Sequence, residues 1–244
     1  PDEIGDLSRS MRNMTDALLD RIDENKSFAA DVSHEIKNPL TSMRSAIETL
    51  TYVQDEESRT ALLDVIQNDV ARLDRLVTDI SNASRLEGEL VLDEWENVDL
   101  CALLKTMLQN FEHRGGFPDV QFIFEDSPKN CVIRGLTGRL DQVFTNLISN
   151  ALSFVPSDGW IKVHIRDSQD GFLVIEVRDN GPGIPEDNLA DIFSRFYSER
   201  PVEQFGEHSG LGLAISLQIV EAHGGTIVAQ NTEDAGALFI VTLP

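Results

Sequence analysis

His34 is the strongest candidate for a reactive residue in this sequence, because an acidic residue and an amide residue follow it at the spacing of a helix. Glu35 is its neighbour, and Asn38 follows four residues after it, on the same face of a helix and one turn along. Neutral imidazole is a nucleophile, and a carboxylate that accepts its other N–H raises that nucleophilicity. A solvated helix histidine is the better explanation of the His-Glu pair alone, but the whole run from Phe28 to Leu40 favours a reactive histidine.

Two asparagines in a later segment supply the type of ligand that magnesium prefers. Asn146 and Asn150 lie four residues apart in a stretch with helical periodicity, which places them on one face of a helix. Amide oxygens are hard ligands, and protein-bound Mg²⁺ keeps most of its waters and shares the phosphates of a nucleotide. Polar residues on a helix surface would show the same spacing, and the pair alone favours that simpler interpretation over a magnesium site.

Two glycine-rich segments are suited to holding a nucleotide. The turn Asp179-Asn-Gly-Pro-Gly-Ile184 follows a predicted strand, and its glycines permit positive φ and close approach of the backbone to a ligand. Asp179 offers an acceptor to an exocyclic amine, although an ordinary Asn-Gly turn is an equal alternative. Gly210-Leu-Gly-Leu213 opens a predicted helix, whose free N–H groups and positive dipole end can bind phosphates. In this order, the segments predict phosphoryl transfer from a nucleotide to His34.

The composition limits the classes of binding partner and indicates the cellular compartment. A formal net charge of −22 disfavours nucleic acid and anionic membrane surfaces, which bind through clustered Lys and Arg. Cys101 and Cys131 show no paired spacing, so we expect neither a disulfide framework nor a zinc site, and a reducing cytosol fits. No apolar run reaches the ~18 residues of a membrane span. The chain begins at Pro1 without Met, and we expect a fragment whose missing part could include membrane helices.

The segment that carries His34 is predicted to form two long helices. Apolar residues recur at spacings of three, four and seven from Leu18 to Ile47, and again from Leu62 to Ala83. The stripe is interrupted at 52–57, which predicts a short turn and an antiparallel hairpin. Two helices cannot enclose their own apolar stripes, so we expect a homodimer that forms a four-helix bundle.

The rest of the chain is predicted to be a mixed α/β layer of about 150 residues, so the whole fold is of the α+β class. Apolar runs with strand or helix patterning alternate along it. The predicted strands are 91–92, 120–124, 160–165, 173–178 and 239–243, and the predicted helices are 100–111, 140–154 and 210–222.

Residues 26 to 244 resemble a two-component sensor histidine kinase almost end to end. The motifs that carry the resemblance stand in the family's order and spacing, which makes it highly specific. They are the run around His34, the asparagine pair within 141–154, the turn 179–184, the segment 192–197, the glycines of 209–213, and His223-Gly-Gly-Thr. Within the family, 205–213 and 44–50 look like the alphaproteobacterial ChvG/ExoS envelope sensors.

The resemblance implies a domain order. The opening residues 2–11 look like the second half of a HAMP signalling helix, so 1–25 would be a partial HAMP segment. Residues 26–90 would dimerise and carry the phosphorylated histidine. Residues 91–244 would form an α/β sandwich of the GHKL type that binds ATP. The parent protein would be anchored in a bacterial inner membrane, with this chain as its cytoplasmic portion.

The resemblance also implies a role for each matching residue. His34 would take the γ-phosphoryl group of ATP with Glu35 as its acid–base partner, and would pass it to an aspartate of a response regulator receiver domain. Asn38 would orient a water that dephosphorylates the regulator. The nucleotide residues would be Asn150 on Mg²⁺, Asn146 near the phosphates, Asp179 on the adenine amine, Gly181 and Gly183 shaping that wall, and Gly210, Leu211 and Gly212 along the phosphate edge.

Several positions remain open or depart from the family pattern. Arg195 suits either a phosphate clamp or a structural salt bridge, and 198–209 would be a lid over the nucleotide, in which His208 reads as a solvated loop residue. Ser153 stands where many relatives carry a cation that meets the phosphates, which predicts weaker ATP binding. His113, His164 and His223 show no ligand spacing and are expected to be structural or surface residues.

Two other function classes compete with a kinase. Gyrase- and chaperone-type ATPases of the same nucleotide fold use Glu where this chain has Asn146, because hydrolysis needs a carboxylate to activate water. They also lack the His34 hairpin. A degenerate, non-catalytic dimeric signalling module would agree with Ser153. The intact Glu35, Asn150 and Asp179 argue against it. The sequence specifies neither the stimulus, nor the regulator, nor whether a subunit phosphorylates itself or its partner.

Overall fold

The computed structural model describes residues 3–92, 94–113, 119–126, 130–168, 170–197, 210–232 and 235–244. The helices are α1 (Glu3–Leu50), α2 (Glu56–Leu92), α3 (Leu100–His113), α4 (Thr137–Leu152) and α5 (Gly212–Ala222), with a short 3-10 turn at Glu186–Asn188. The strands are β1 (Glu96–Asp99), β2 (Gln121–Asp126), β3 (Val132–Gly135), β4 (Trp160–Asp167), β5 (Leu173–Asp179), β6 (Thr226–Asn231) and β7 (Ala237–Leu243). The chain divides into two compact units between Ile80 and Ser81.

The first unit contains the helical hairpin that the apolar periodicity predicts. The side chain of Asp55 caps the start of α2 by accepting the backbone N–H of Ser58 at 2.7 Å, and this bonding lowers the pKa of the Asp55 carboxyl. An ion pair of 2.9 Å joins Glu35 of α1 to Arg72 of α2. These two residues are nearly equidistant from the turn, so the helices run antiparallel. Among the described residues, no helix combines the length and apolar character of a membrane span.

Five strands of the second unit form one mixed sheet in the order β2-β4-β5-β7-β6. β2 runs parallel to β4, and the other neighbours are antiparallel. Buried and half-exposed side chains alternate along β4 and β7, as expected for a sheet packed on one face. Helices α3, α4 and α5 contact strands of this sheet and contribute completely buried residues such as Leu104, Phe144 and Ile219. This layer is the α/β sandwich that the sequence predicts.

A small antiparallel sheet of β1 and β3 lies at the start of the second unit. Val98 and Ile133, which face each other in its register, are both buried. A side-chain hydrogen bond from Thr137 to Glu96 joins the start of α4 to the start of β1. The small sheet therefore connects directly to the helix that carries the asparagine pair.

Some element predictions were wrong. Val91 and Leu92 lie in the last turn of α2 rather than in a strand, because the isolated Gly88 costs a helix only about 1 kcal/mol and did not end it. The strand at this boundary is β1, which begins four residues after Leu92. The strands β3 and β6 were not predicted, since they are short and each adjoins a stronger helical signal, α4 after β3 and α5 before β6.

The expectation that the cysteines are unpaired was also wrong. Cys101 and Cys131 form a disulfide with a Cα–Cα distance of 5.6 Å. Pairing of β1 with β3 brings the residue before β3 next to the first turn of α3, where Leu100 donates its backbone N–H to the Cys131 carbonyl oxygen at 2.9 Å. The cysteines are 30 residues apart in the chain, so their proximity is a property of the tertiary fold.

Candidate functional site

The histidine face of α1 presents its reactive groups to solvent. His34 and Asn38 are both exposed, and their spacing in an unbroken helix puts them one turn apart on one face. Pro39 lies within the same helix and is buried. A nucleophile and an amide on an open helix face are accessible to a second protein, which a buried histidine would not be.

Glu35 is held by the second helix of the hairpin. Its Oε2 accepts a hydrogen bond from Nη2 of Arg72 at 2.9 Å, and both side chains are about one-fifth exposed. Arg72 also carries a buried Nε, and nearby Asp69 a buried Oδ2, neither with a hydrogen-bond partner among the described residues. The carboxylate next to His34 therefore has a fixed cationic neighbour, which the local sequence around His34 does not indicate.

Asn146 belongs to a contact between α4 and the start of α5. Its Nδ2 donates to the backbone oxygen of Gly212 at 2.9 Å and to Oγ of Ser216 at 3.3 Å. A Cβ atom at Gly212 would lie 3.4 Å from Cγ of Asn146, so the glycine lets the two helices approach closely. Tertiary packing thus brings Asn146 and the glycine helix start together.

Asn150 and Ser153 occupy the last turn of α4 and its C-terminal cap. Asn150 is half-buried, one turn beyond Asn146. The hydroxyl of Ser153 donates to the backbone oxygens of Ser149 and Asn150, at 3.0 and 2.8 Å. Ser153 therefore caps the C-terminal end of α4, and it adds no positive charge there.

Asp179 is a buried carboxylate at the end of β5, with only 3% of its surface exposed. Its Oδ1 accepts the backbone N–H groups of Gly181 at 2.8 Å and Ala237 at 3.2 Å. Burial raises the pKa of the Asp179 carboxyl, while these two N–H groups and the charge of Arg178 act in the opposite direction. Both of these hydrogen bonds use the same oxygen, so Oδ2 remains the better acceptor for a ligand.

The glycines of the turn after Asp179 are required by close backbone and side-chain contacts. A Cβ at Gly181 would lie 2.9 Å from Oδ1 of Asp179, and one at Gly183, where φ is +80°, would lie 2.8 Å from Oδ1 of Asn231. Asn231 itself bonds both backbone groups of Ile184, accepting its N–H at 2.7 Å and donating to its oxygen at 2.6 Å. The end of β6 therefore supports this wall of the site.

Gly210 and Leu211 lie immediately before α5. Gly210 has φ of +73°, and its oxygen accepts the N–H of Phe196 at 2.9 Å. Leu211 is 1% exposed and so acts through packing and through its backbone. Arg195 is half-buried beside this contact. The predicted lid at 198–209, with His208, lies outside the described residues.

His223 has a structural role, as expected. Its Nε2 accepts the backbone N–H of Leu136 at 3.0 Å, which leaves Nδ1–H to donate to the oxygen of Ile219 at 2.7 Å. The ring also contacts Trp95, with 4.8 Å between centroids. Burial lowers the pKa of His223, in keeping with a neutral ring that uses one nitrogen as an acceptor.

Three supporting residues were missed by sequence reasoning. Ser216 lies one turn after Gly212, a spacing that could have suggested it. Arg72 and Asn231 are separated from the residues they support by 37 and 47 positions, and no local pattern indicates such contacts.

The donor set of the second unit fits ATP with a magnesium ion. A buried carboxylate with one oxygen left over suits an exocyclic amine, and amide oxygens on α4 suit a hard cation. The N-terminal backbone of α5 suits phosphate oxygens. In this arrangement Asp179 would hold the base, Asn150 the Mg²⁺, and the 210–212 backbone the phosphates.

Family models cover both units. Residues 24–89 match the His Kinase A (phospho-acceptor) domain. Residues 135–244 match the Histidine kinase-, DNA gyrase B-, and HSP90-like ATPase. His34 lies in the first match, and the asparagine pair, Asp179 and the glycines lie in the second.

Named relatives match over most of the chain. Sensor protein ChvG of Rhizobium meliloti (strain 1021) is 49% identical over 256 residues, covering 100% of this chain and 44% of the relative. The ChvG protein of Agrobacterium fabrum is 46% identical, with 100% and 43% covered. Sensor protein kinase WalK of Staphylococcus aureus is 35% identical, with 91% and 54% covered. The chain thus spans less than half the length of either ChvG protein.

Solved structures of histidine kinases also match this chain. Histidine kinase ThkA in complex with response regulator protein TrrA matches with a TM-score of 0.69 and 28% identity, covering 89% of this chain and 61% of that chain. Full-length ShkA in complex with AMPPNP matches with a TM-score of 0.62 and 25% identity, covering 88% and 45%. The phosphoacceptor hairpin, the ATPase region and the relatives agree, and this chain belongs to the two-component sensor histidine kinases.

Proposed function

We propose that this chain transfers the γ-phosphoryl group of ATP to His34 and then to an aspartate of a response regulator. The observation that carries the proposal is the exposure of His34 on a helix face in a chain whose other unit assembles a nucleotide donor set. The nucleophile is thus open to a second protein, while the nucleotide groups are held by the sheet and its helices. Asn146 stands where hydrolytic relatives use Glu, so no base there activates water.

Each residue then has a stated task. His34 attacks the γ-phosphorus through one ring nitrogen, and Glu35 accepts the proton on the other. Asp179 selects adenine through its second carboxylate oxygen. Asn150 would hold Mg²⁺ through its amide oxygen, and the ion would neutralise phosphate charge. Gly210, Leu211 and Gly212 offer backbone N–H groups to the phosphates. Arg195 is proposed as a phosphate contact.

We also propose that the chain acts as a homodimer in which two hairpins form a four-helix bundle. The support is the apolar surface that one hairpin leaves exposed. Leu40, Ile47, Val70 and Val77 are each at least half exposed, and two helices alone cannot cover such a stripe. A second copy of the hairpin presents the matching stripe.

The expected partner is a response regulator receiver domain. Support comes from the structure of ThkA in complex with TrrA. The match to the ThkA structure covers 89% of the present chain. Asn38 is exposed one turn after His34, where its amide could orient a water towards the phospho-aspartate of a bound regulator. We therefore propose regulator dephosphorylation as a second reaction on this face.

The domain boundaries proposed from the sequence are a partial HAMP segment at 1–25, a dimerisation and phosphotransfer domain at 26–90, and an ATP-binding domain at 91–244. We propose that the chain is the cytoplasmic portion of a bacterial inner-membrane protein. The support is that both ChvG relatives are named sensor proteins and extend well beyond the matched region.

Incubation with γ-labelled ATP and Mg²⁺ tests the kinase proposal. We expect acid-labile, alkali-stable label on the protein, absent from His34→Gln, whose affinity for ATP should be unchanged by calorimetry. Free phosphate without protein label would indicate an ATPase, and neither product would indicate a non-catalytic module. Label that persists on His34→Gln would contradict the assignment.

Mixed dimers decide which subunit is phosphorylated. When His34→Ala and Asn150→Ala chains of different length are combined, only the Asn150→Ala chain retains a phosphorylatable histidine. Label on that chain means transfer between subunits. Its absence means transfer within one subunit, provided that the unmutated dimer is labelled under the same conditions.

Asn38→Ala tests the proposed dephosphorylation. We expect it to keep substantial autophosphorylation and phosphotransfer but to lose acceleration of phospho-regulator decay. The exposed Thr41 lies two turns after His34 on the same face, so Thr41→Ala is the control for loss of a polar side chain there without loss of the amide. Equal decay with parent and Asn38→Ala, both faster than without kinase, would leave Asn38 a structural residue preceding Pro39.

A further inference from the structure

The two cysteines of the chain lie outside the nucleotide and histidine sites, and the fold brings them together. The sequence contains only Cys101 and Cys131, and both contribute to one disulfide. Cys101 is in the first turn of α3, and Cys131 immediately precedes β3. Neither residue has a task in the proposed phosphoryl transfer.

The backbone around the pair is fixed by contacts that do not depend on the S–S bond. Asp99 pairs with Val132 in the β1–β3 register, and Leu100 donates to the oxygen of Cys131 at 2.9 Å. The resulting Cα–Cα distance of 5.6 Å falls in the middle of the range that disulfides adopt. The thiols of a reduced chain would therefore already be positioned to react.

The pair is also accessible to small reagents. Cys101 and Cys131 are both partly exposed, whereas structural disulfides of core type are shielded from exchange. Reversible thiol–disulfide chemistry requires such access, together with a nearby second thiol. Geometry and exposure together meet both requirements.

We propose that Cys101 and Cys131 form a reversible thiol–disulfide site that takes low-molecular-weight disulfides of the glutathione class as its oxidant. One protein thiolate attacks the small disulfide, forms a mixed disulfide and releases one small thiol. The second protein thiolate then attacks the protein sulfur of that mixed disulfide, forms the Sγ–Sγ bond and releases the second small thiol. Two electrons pass to the small disulfide, and the two protons of the protein thiols end on the released thiols.

The bond closes a loop that contains α3 and β2. Among the strands that the structure describes, β2 pairs only with β4, at the edge of the five-stranded sheet. Helix α3 contacts α4, where Oγ1 of Thr145 lies 3.8 Å from the sulfur of Met107. Closing this loop restricts the unfolded chain more than the folded one, whose backbone is already in place. Oxidation should therefore stabilise the second unit, which is the proposed ATP-binding unit, without rearranging it.

A nearby carboxylate gives the one competing interpretation. An oxygen of Asp99 and both sulfurs lie within 4.8 Å of one another, a set that could hold a metal ion. Asp99 already accepts the backbone N–H of Ala102 at 3.0 Å as a helix cap, and three ligands are fewer than the four of a structural zinc site. The observations therefore favour the disulfide.

Equilibration of the whole chain in buffers of defined reduced-to-oxidised glutathione ratio tests the proposal. We expect thiol alkylation and peptide mapping to show a single intrachain Cys101–Cys131 link that opens and closes reversibly with the ratio. The melting temperature of the oxidised form should exceed that of the reduced form by on the order of 5–10 °C. This difference should vanish in Cys101→Ser and in Cys131→Ser, which serve as matched controls for each other.

Other outcomes would overturn the proposal. Thiols that stay free at every ratio, links between chains, or stable mixed disulfides with glutathione would each exclude an intrachain site. Equal melting temperatures for the two redox forms would exclude the stabilising role. Zn²⁺ that binds the reduced chain tightly, blocks its oxidation and is lost in Asp99→Asn would replace the disulfide with a metal site.

Discussion

The helical hairpin and the ATP-binding unit place their chemical groups in opposite ways. On the hairpin, His34 and Asn38 are exposed and their relation follows from helical spacing alone. In the ATP-binding unit, the carboxylate of Asp179 accepts the backbone N–H of Ala237, and the backbone oxygen of Gly212 accepts the side-chain amide of Asn146. A group that must meet a second protein can stand on a regular helix, whereas a small-ligand site needs walls from distant parts of the chain.

Glu35 is the exception within the hairpin, because its carboxylate is oriented by Arg72 of the other helix. The histidine face therefore combines a locally determined nucleophile with an acid whose position depends on the packing of two helices. Variants that disturb helix spacing should consequently affect Glu35 before they affect His34.

The largest expected effect tests how far the ATP-binding unit depends on close backbone contacts. Gly236 has φ of +106°, and a Cβ there would overlap the carbonyl oxygen of Asp179. We expect Gly236→Ala to lower the free energy of unfolding by roughly 2–6 kcal/mol, through positive-φ strain and overpacking together, and to weaken ATP binding. Urea denaturation and calorimetry measure the two effects.

Gly138 supplies the control for this substitution. It lies exposed in α4, and beyond its own helix backbone a Cβ atom there would meet no other atom within 4 Å. We expect Gly138→Ala to stabilise the protein by up to about 1 kcal/mol, the difference in helix propensity. Similar destabilisation by the two substitutions would show that close contact at Gly236 is not the cause.

A smaller effect is expected from Asp179→Ala, which removes the buried acceptor but leaves the backbone contacts of Gly236 possible. Losing a hydrogen bond to a buried partner costs about 1–3 kcal/mol, or roughly one to two decades in ATP affinity. Calorimetry with ATP and GTP checks both affinity and base selectivity. Unchanged ATP affinity would mean that Asp179 does not contact adenine.

The pH dependence of the free energy of unfolding should reflect the titration of His223. Burial lowers its pKa in the folded state below the ordinary value of 6.5, so its stabilising contribution is complete above pH 6.5. That contribution is lost as the pH falls from 6.5 through the lower folded-state pKa, because protonation removes the acceptor for Leu136.

We expect the free energy of unfolding to decrease over this window more steeply in the parent than in His223→Gln, which carries no titrating group. The exposed His113 gives the control variant His113→Gln. Equal pH slopes for the parent and His223→Gln would contradict the assignment of a neutral buried imidazole.

The smallest effect concerns Ser153, which caps the C-terminal end of α4 and adds no positive charge there. We expect Ser153→Lys to tighten ATP binding by on the order of 1 kcal/mol at low salt and by less at high salt, because a charge in a partly exposed site is screened. Titration calorimetry at two salt concentrations measures this. A dissociation constant that is unchanged or higher at low salt would show that this position does not face the phosphates.

Local patterns in the sequence were sufficient for several features. The hairpin, the long helices of the second unit and most strands follow from apolar periodicity, which depends on neighbours within a few residues. The spacing of His34 and Asn38, and of Asn146 and Asn150, likewise needs only the pitch of a helix. The glycines of the nucleotide motifs were identified from their types and order, and the family from all motifs together.

The tertiary structure alone decided the contacts between residues far apart in the chain. It paired Cys101 with Cys131, turned Glu35 towards Arg72, and placed Asn231 against the turn after Asp179. None of these contacts leaves a periodic or composition signal, because each results from strand register or helix packing between residues 30 to 47 positions apart in the chain. The local sequence thus determines the types of the reacting groups. The residues that contact and orient these groups are determined only when the whole chain packs.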